Sequence, residues 1–199
     1  MSTNQNISGD TQPQMSVFVT VGSTEFDALV SSVCSDVVLD LLAENKIQKV
    51  VLQVGRGKLP PQVAGKTLEV EEADDQVGHG TTSTNPPVHI EWFRYMPSLT
   101  PYITSANLVI GHAGAGTLLE CCTVGRPLVC VPNGTLLHGH QMELAEQMEM
   151  DGQIRMCPGP GKLAEALRGY FKEGMKTVPM SRSEPEMFSA FLEEFVGLR

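Results

Sequence analysis

In the stretch VIGHAGAGTLLECC, residues 109–122, an apolar run ends in His112 and three closely set glycines, Gly111, Gly114 and Gly116. A segment of helical period carrying Glu120 follows at once. Glycine in a strand–helix junction costs chain entropy, so the three need a reason. In one reading, Gly114 and Gly116 let the main chain approach an anion held by the free amides of the helix start. Thr117 then offers a hydroxyl in the first turn, and Glu120, one turn on, accepts hydrogen bonds from a ribose. In the other reading, the glycines serve only tight strand–helix packing and Glu120 faces solvent. His112, the titratable group in the turn, serves either proton transfer or a structural hydrogen bond that holds the loop.

Two further segments have a similar make-up. GSTEF (22–26) and NGTLLHGHQ (133–141) are rich in Gly, Ser, Thr, Asn or His, and each follows a β-branched apolar run. Other constellations are weaker. GAGTLL lacks the third glycine of a dinucleotide fingerprint, and PGPGKL ends in leucine where a Walker loop needs Ser or Thr to meet magnesium. His138 and His140 form an HxH pair with Glu143 nearby. Two loop histidines are more often solvent-exposed or ligand hydrogen bonders, so no metal site is expected. The five cysteines are odd in number and form no CxxC pair. They read as reduced thiols, Cys130 in a strand and Cys121 and Cys122 in helix packing rather than as nucleophiles.

These residues need a scaffold. MSVFVTV, KVVLQVG, VHIEWF, NLVIG and RPLVCVP read as buried strands, with a short last strand in DGQIRMC. Helices are expected over about Asp27 to Glu44, where Thr24 and Asp27 resemble a capping box. More follow in YMPSLTPYITSA with Ser98 as cap, in GTLLECCTVG closed by Gly125, in QMELAEQMEM, in PGKLAEALRGYF and in EPEMFSAFLEEFVGL. Strands alternating with helices predict a Rossmann-like α/β fold, a parallel sheet with helices on both faces. Residues 1–14 read as a flexible tail and 15–199 as a single domain. Residues 71–87 read as a mobile acidic loop, after a short strand near Thr67–Val70.

The 199 residues carry a net charge of −9, which excludes a broad basic grip on nucleic acid. With 41% hydrophobic and 19% charged residues, general disorder is also excluded. No apolar run approaches the roughly 20 residues of a membrane helix. The chain is therefore expected in the cytosol, and any membrane role falls to a partner. Ligands of open parallel sheets bind beyond the carboxyl ends of the strands. The three loops are thus expected to converge on one crevice, where their free amides and helix dipoles would meet an anionic ligand. Three such loops together favour binding over mere packing.

FVTVGSTEFDALV, YMPSLTPYITSANLVIGHAGAGTLLE, GRPLVCVPN and HGHQMELAEQM resemble the soluble subunit of the dolichol-pathway UDP-N-acetylglucosamine transferase, of the asparagine-linked glycosylation family. The resemblance runs in order through about residues 15–157. It is similar, more distantly, to the C-terminal half of the bacterial peptidoglycan N-acetylglucosaminyltransferase. It implies the donor-binding, C-terminal half of a GT-B glycosyltransferase, working with a membrane-anchored partner that binds the lipid-diphosphate GlcNAc acceptor. Together the two chains would add a β1,4-linked GlcNAc to GlcNAc-diphosphodolichol at the cytosolic face of the endoplasmic reticulum. UDP-GlcNAc is then a substrate, with no cofactor and no metal, in keeping with the lack of a DxD sequence.

Carried over by motif, Gly22, Ser23 and Thr24 match the loop near the diphosphate or GlcNAc, and Tyr95 and Met96 match the segment framing uracil. Gly114, Ala115, Gly116 and Thr117 match the diphosphate turn, and Glu120 the ribose-binding acid. His140 and Gln141 match the pair facing the donor sugar, with Asn133 on the loop before it. The chain departs from the family pattern at Gly111, where serine is common, and at Gly139, where asparagine is common. The resemblance gives no base, and His112 is a candidate only. The last helix, 184–196, carries Phe188, Phe191, Leu192, Phe195 and Val196 on one stripe. That stripe either packs on its own domain or docks the partner, and the family uses this end for docking. A different class of function is a non-catalytic nucleotide-binding module that regulates or scaffolds; three complete donor loops favour catalysis.

Overall fold

The computed structural model describes residues 14–58, 68–73, 76–134 and 139–174. Eight strands form one sheet: β1 (Ser16–Thr20), β2 (Lys49–Gln53), β3 (Leu68–Ala73), β4 (Val77–Thr82), β5 (His89–Phe93), β6 (Leu108–His112), β7 (Leu128–Val131) and β8 (Arg155–Met156). Their order is β3-β4-β5-β2-β1-β6-β7-β8. From β5 to β8 the neighbours pair in parallel, as the alternation of strands and helices predicts.

The β3–β4–β5 edge is antiparallel, so the sheet is mixed rather than wholly parallel. This corrects the expectation for residues 71–87, which hold the end of β3 and all of β4 rather than one acidic loop. β4 reads VGHGTT, with Gly78 opposite Trp92 and Gly80 opposite Ile90 on β5. Those two large side chains are buried and supply the apolar cover that the glycines lack. The strand therefore has no hydrophobic alternation of its own to reveal it.

The helix expected over 27–44 is instead two, α1 (Asp27–Val33) and α2 (Asp36–Glu44). Between them Ser35 is extended, with ψ 147°, and its hydroxyl donates to Ser32 O at 2.7 Å. A local side-chain bond of this kind competes with helix continuation. The capping box does not form either. Thr24 Oγ1 donates to Val21 O at 2.7 Å, while Asp27 Oδ1 accepts the Lys58 amide at 2.8 Å. The remaining helices are α3 (Thr100–Ser105), α4 (Ala115–Thr123), α5 (Gly139–Met150) and α6 (Leu163–Glu173). Ser98 Oγ accepts the Thr100 amide at 3.3 Å ahead of α3, close to its expected role.

Alternation along the central strands sorts the core into two layers. Val17, Val19, Leu52 and Ile110 face α1, α2 and α6, whereas Phe18, Val51, Val109 and Cys130 face α3, α4 and α5. Each fully buried Leu, Ile, Val or Phe contributes about 1.5–3 kcal/mol. Both faces of the sheet are thereby covered, and its carboxyl edge is left to the loops. The expected tail (residues 1–14, Gln14 aside) and last helix (184–196) lie outside the described residues.

Candidate functional site

β1 and β6 are neighbours, yet the chain runs outward from them in opposite directions, through β2 and β5 on one side and β7 and β8 on the other. Such a reversal opens a crevice beyond the carboxyl ends of the strands. Thr20 pairs with Gly111 and His112 with Val131, so the Gly22 turn, the HAGAG turn and the Asn133 loop leave the sheet side by side.

The first two of these turns meet at the ring of His112. A Cβ at Gly22 would lie 2.7 Å from His112 Cε1, and one at Gly114 would lie 2.3 Å from Nε2. Gly22 also has φ +64°, a conformation that side chains resist. These two glycines are thus required by the imidazole between them. Burial pushes His112 below its ordinary pKa of 6.5, the Thr20 backbone working in the opposite sense. The ring is therefore neutral at neutral pH. Its Nδ1 is buried and has no hydrogen-bond partner of good geometry among the described residues.

No side chain caps α4. The amides of Ala115, Gly116 and Thr117 at its start have no acceptor within the helix and carry the positive end of its dipole. Gly116 is exposed, and nothing stands within 4 Å of where its Cβ would be. Thr117 is buried, its methyl 3.2 Å from a Cβ placed at Gly111. Glycine at 111 leaves that methyl its room, where a serine would crowd it. Glu120 is half-buried and accepts a hydrogen bond from the Thr100 hydroxyl. It does not simply face solvent.

That bond ties the start of α3 to α4. Tyr102 on α3 packs against Phe18 and Phe93, with ring centroids 5.5 and 4.8 Å away. Such aromatic pairs contribute about 0.5–1.5 kcal/mol each beyond their burial. Tyr95 and Met96, at the exit of β5 and just before α3, are 51% and 38% exposed.

On the other side, Asn133 is buried, and its Nδ2 donates to Glu25 O at 3.1 Å, joining the loop after β7 to the loop after β1. Beside them opens a cleft of about 590 Å³, lined by Thr24, Glu25, Phe26, Arg56, Asn133 and Pro160 among others. The cleft collects Thr24 and Asn133 but is not lined by the α4 turn, Tyr95 or Met96. His112 joins the α4 turn to the Gly22 turn, and Glu120 with Thr100 joins α4 to α3. Exposed Ser23 sits between Gly22 and Thr24 on the first loop.

His140 and Gln141 fall in the first turn of α5, where the main chain alone is described, and His138 lies outside the described residues. Phe188, Phe191, Leu192, Phe195 and Val196 also lie outside them. Sequence reasoning missed Arg56 and Thr100. Arg56 follows the strand KVVLQV at its carboxyl end, a position that could have flagged it. Thr100 gives no local signal, because its role appears only once α3 and α4 pack. The five cysteines are buried and free, and burial pushes the thiols of Cys34, Cys121, Cys122 and Cys130 up to about 12, as packing rather than nucleophilic residues require. No helix among the described residues is long and apolar enough to cross a membrane.

Residues 16–194 match the glycosyltransferase family 28 C-terminal domain. The chain is 36% identical over 162 residues to the UDP-N-acetylglucosamine transferase subunit ALG13 of Mus musculus, an alignment covering 78% of this chain but 12% of that protein. It is 31% identical over 198 residues to the ALG13 subunit of Cryptococcus neoformans var. neoformans, covering 91% of this chain and 96% of that one. It therefore spans a small part of the mouse relative and nearly the whole of the fungal one. An NMR solution structure of ALG13 superposes with a TM-score of 0.68 at 24% identity, over 87% of this chain and 94% of that structure. At that identity the likeness bears on the fold.

Proposed function

The chain belongs to the ALG13 family of UDP-N-acetylglucosamine transferase subunits, within glycosyltransferase family 28, and on that premise we propose that it is the UDP-GlcNAc-binding subunit of a two-chain transferase. A membrane-anchored partner supplies the other half and holds a lipid-diphosphate GlcNAc acceptor. The pair adds a β1,4-linked GlcNAc to GlcNAc-diphosphodolichol in N-glycan precursor synthesis, at the cytosolic face of the endoplasmic reticulum. The observation that carries this reading is the meeting of two glycine turns at His112, where the strand order reverses.

In this reading the amides of Ala115, Gly116 and Thr117 take the diphosphate. Glu120, oriented by Thr100, takes the ribose, and Tyr95 and Met96 frame the uracil. Gly22, Ser23 and Thr24, with Asn133, His140 and Gln141, surround the sugar. Inverting transfer breaks the bond between the sugar and UDP while the acceptor hydroxyl attacks the opposite face. Negative charge grows on the departing UDP, and helix-terminal amides aimed at it stabilise that charge without a metal. A general base must come within hydrogen-bond reach of the acceptor hydroxyl. His112 has Nε2 packed toward Gly114 and is suited to holding the two turns, and no residue is assigned as the base. The apolar residues Phe188, Phe191, Leu192, Phe195 and Val196 are proposed to dock the partner.

Reconstitution tests the proposal. The chain alone should transfer no labelled GlcNAc from UDP-GlcNAc to a lipid-diphosphate GlcNAc acceptor, and mixing it with the membrane-anchored partner should restore transfer. Combined Glu120→Ala and Gln141→Ala should abolish it. Transfer that survives both substitutions would overturn the site.

A further inference from the structure

We infer that Gln53 is a positioning residue that sets the spacing between the sugar–phosphate loop and the uracil loop, an inference that rests on the donor-binding reading above. Gln53 ends β2, which lies between β5 and β1, and it is 2% exposed. Its Nε2 donates to Gly22 O at 2.7 Å and to Arg94 O at 2.8 Å. Its Oε1 accepts the hydroxyl of buried Thr20 at 2.6 Å, and that hydroxyl accepts the Gly22 amide at 3.2 Å. The two carbonyls fix which end of the side-chain amide carries nitrogen, because only an NH₂ group can serve both.

Both protons of one side chain are thus spent on carbonyls of two different loops. The Gly22 carbonyl opens the turn that carries Ser23 and Thr24 and rests on His112. The Arg94 carbonyl opens the segment that carries Tyr95 and Met96. Arg94 in turn donates through Nη1 to Gly55 O and Gly57 O at 3.1 and 2.8 Å, fastening the chain beyond β2 to the same edge. An apolar residue at 53 would fill the space but leave the two carbonyls and the Thr20 hydroxyl without these partners. A satisfied buried network holds its loops rigidly, and a broken one lets them drift apart. A ligand that spans both loops depends on their separation, and one that touches a single loop does not.

The test compares UDP-GlcNAc, which spans both loops, with uridine monophosphate, which lacks the sugar end. Both are titrated against the full chain as wild type, Gln53→Met, Thr20→Val and Leu39→Ala. Thr20→Val keeps the side-chain shape should Gln53→Met fold poorly. Leu39→Ala removes a buried side chain on α2, away from the loops, and controls for lost stability. The inference predicts UDP-GlcNAc affinity roughly tenfold weaker in Gln53→Met and severalfold weaker in Thr20→Val, the scale of a lost hydrogen bond. Uridine monophosphate affinity should change much less, and Leu39→Ala should leave the ratio unchanged. Equal weakening of both ligands, or no change, overturns the inference while the donor site stands. Failure of the wild type to bind UDP-GlcNAc overturns the donor-binding reading and the inference with it.

Discussion

Gly114 and Gly116 lie two residues apart, yet a methyl group at the first would lie 2.3 Å from His112 Nε2 and at the second would meet nothing within 4 Å. Substitution should therefore act in different ways. Gly114→Ala should lower the melting temperature and weaken UDP-GlcNAc binding together, because the imidazole and both turns must shift. Gly116→Ala reduces the freedom of the unfolded chain, which stabilises by about 0.4–1 kcal/mol where the conformation is compatible. It should weaken binding nonetheless, since the open space above it is where the diphosphate is proposed to sit. Thermal denaturation and titration calorimetry on both variants check this pairing.

His112 adds a pH dependence with a definite sign. Its folded-state pKa lies below its ordinary 6.5, so between the two values the unfolded chain binds more protons than the folded one. Its effect on stability is level above about pH 6.5 and becomes increasingly unfavourable as pH falls from there toward the folded-state pKa. Melting curves should show wild type losing stability on acidification below pH 6.5 faster than His112→Gln; equal slopes would contradict the buried, neutral imidazole. The importance of the turn was legible in its glycines, but the reason for two of them was not. Both Gly22 and Gly114 answer to a ring that meets them only in the folded chain. Gln53 was hidden for a similar cause, one polar residue closing the apolar run Val50–Leu52.

At the scale of elements, β1, β2, β6 and β7 were legible because they are buried on both faces and read as near-continuous apolar runs. β5, HIEWF, falls where a strand was expected but alternates half-buried His89 and Glu91 with buried Ile90 and Trp92. β4 was not legible, since its apolar cover comes from Trp92 and Ile90 on its neighbour. The break between α1 and α2 was missed because Leu29, Val30, Val33, Val37 and Leu41 step with helical period across it, yet Val37 is 54% exposed and α2 instead buries Val38, Leu39, Leu41 and Leu42. Periodicity reports which face is buried, and both short helices bury the same face of the sheet. The interruption is made by one hydroxyl at Ser35, a signal that many helices tolerate.

For the whole molecule, the sheet, its reversal point and two covering layers account for why three loops emerge along one edge. An acidic chain with net charge −9 gains nothing from broad cationic attraction to a diphosphate, which is why the proposed grip rests on oriented backbone amides. The most direct measurement is a titration of UDP-GlcNAc into the ¹⁵N-labelled full chain, followed by amide chemical shifts. The account predicts that the amides of Gly22–Thr24, Ala115–Thr117 and Gly139–Gln141 move together and saturate with one dissociation constant. Shifts elsewhere while these three sets stay still, or three sets titrating with separate midpoints, would contradict it.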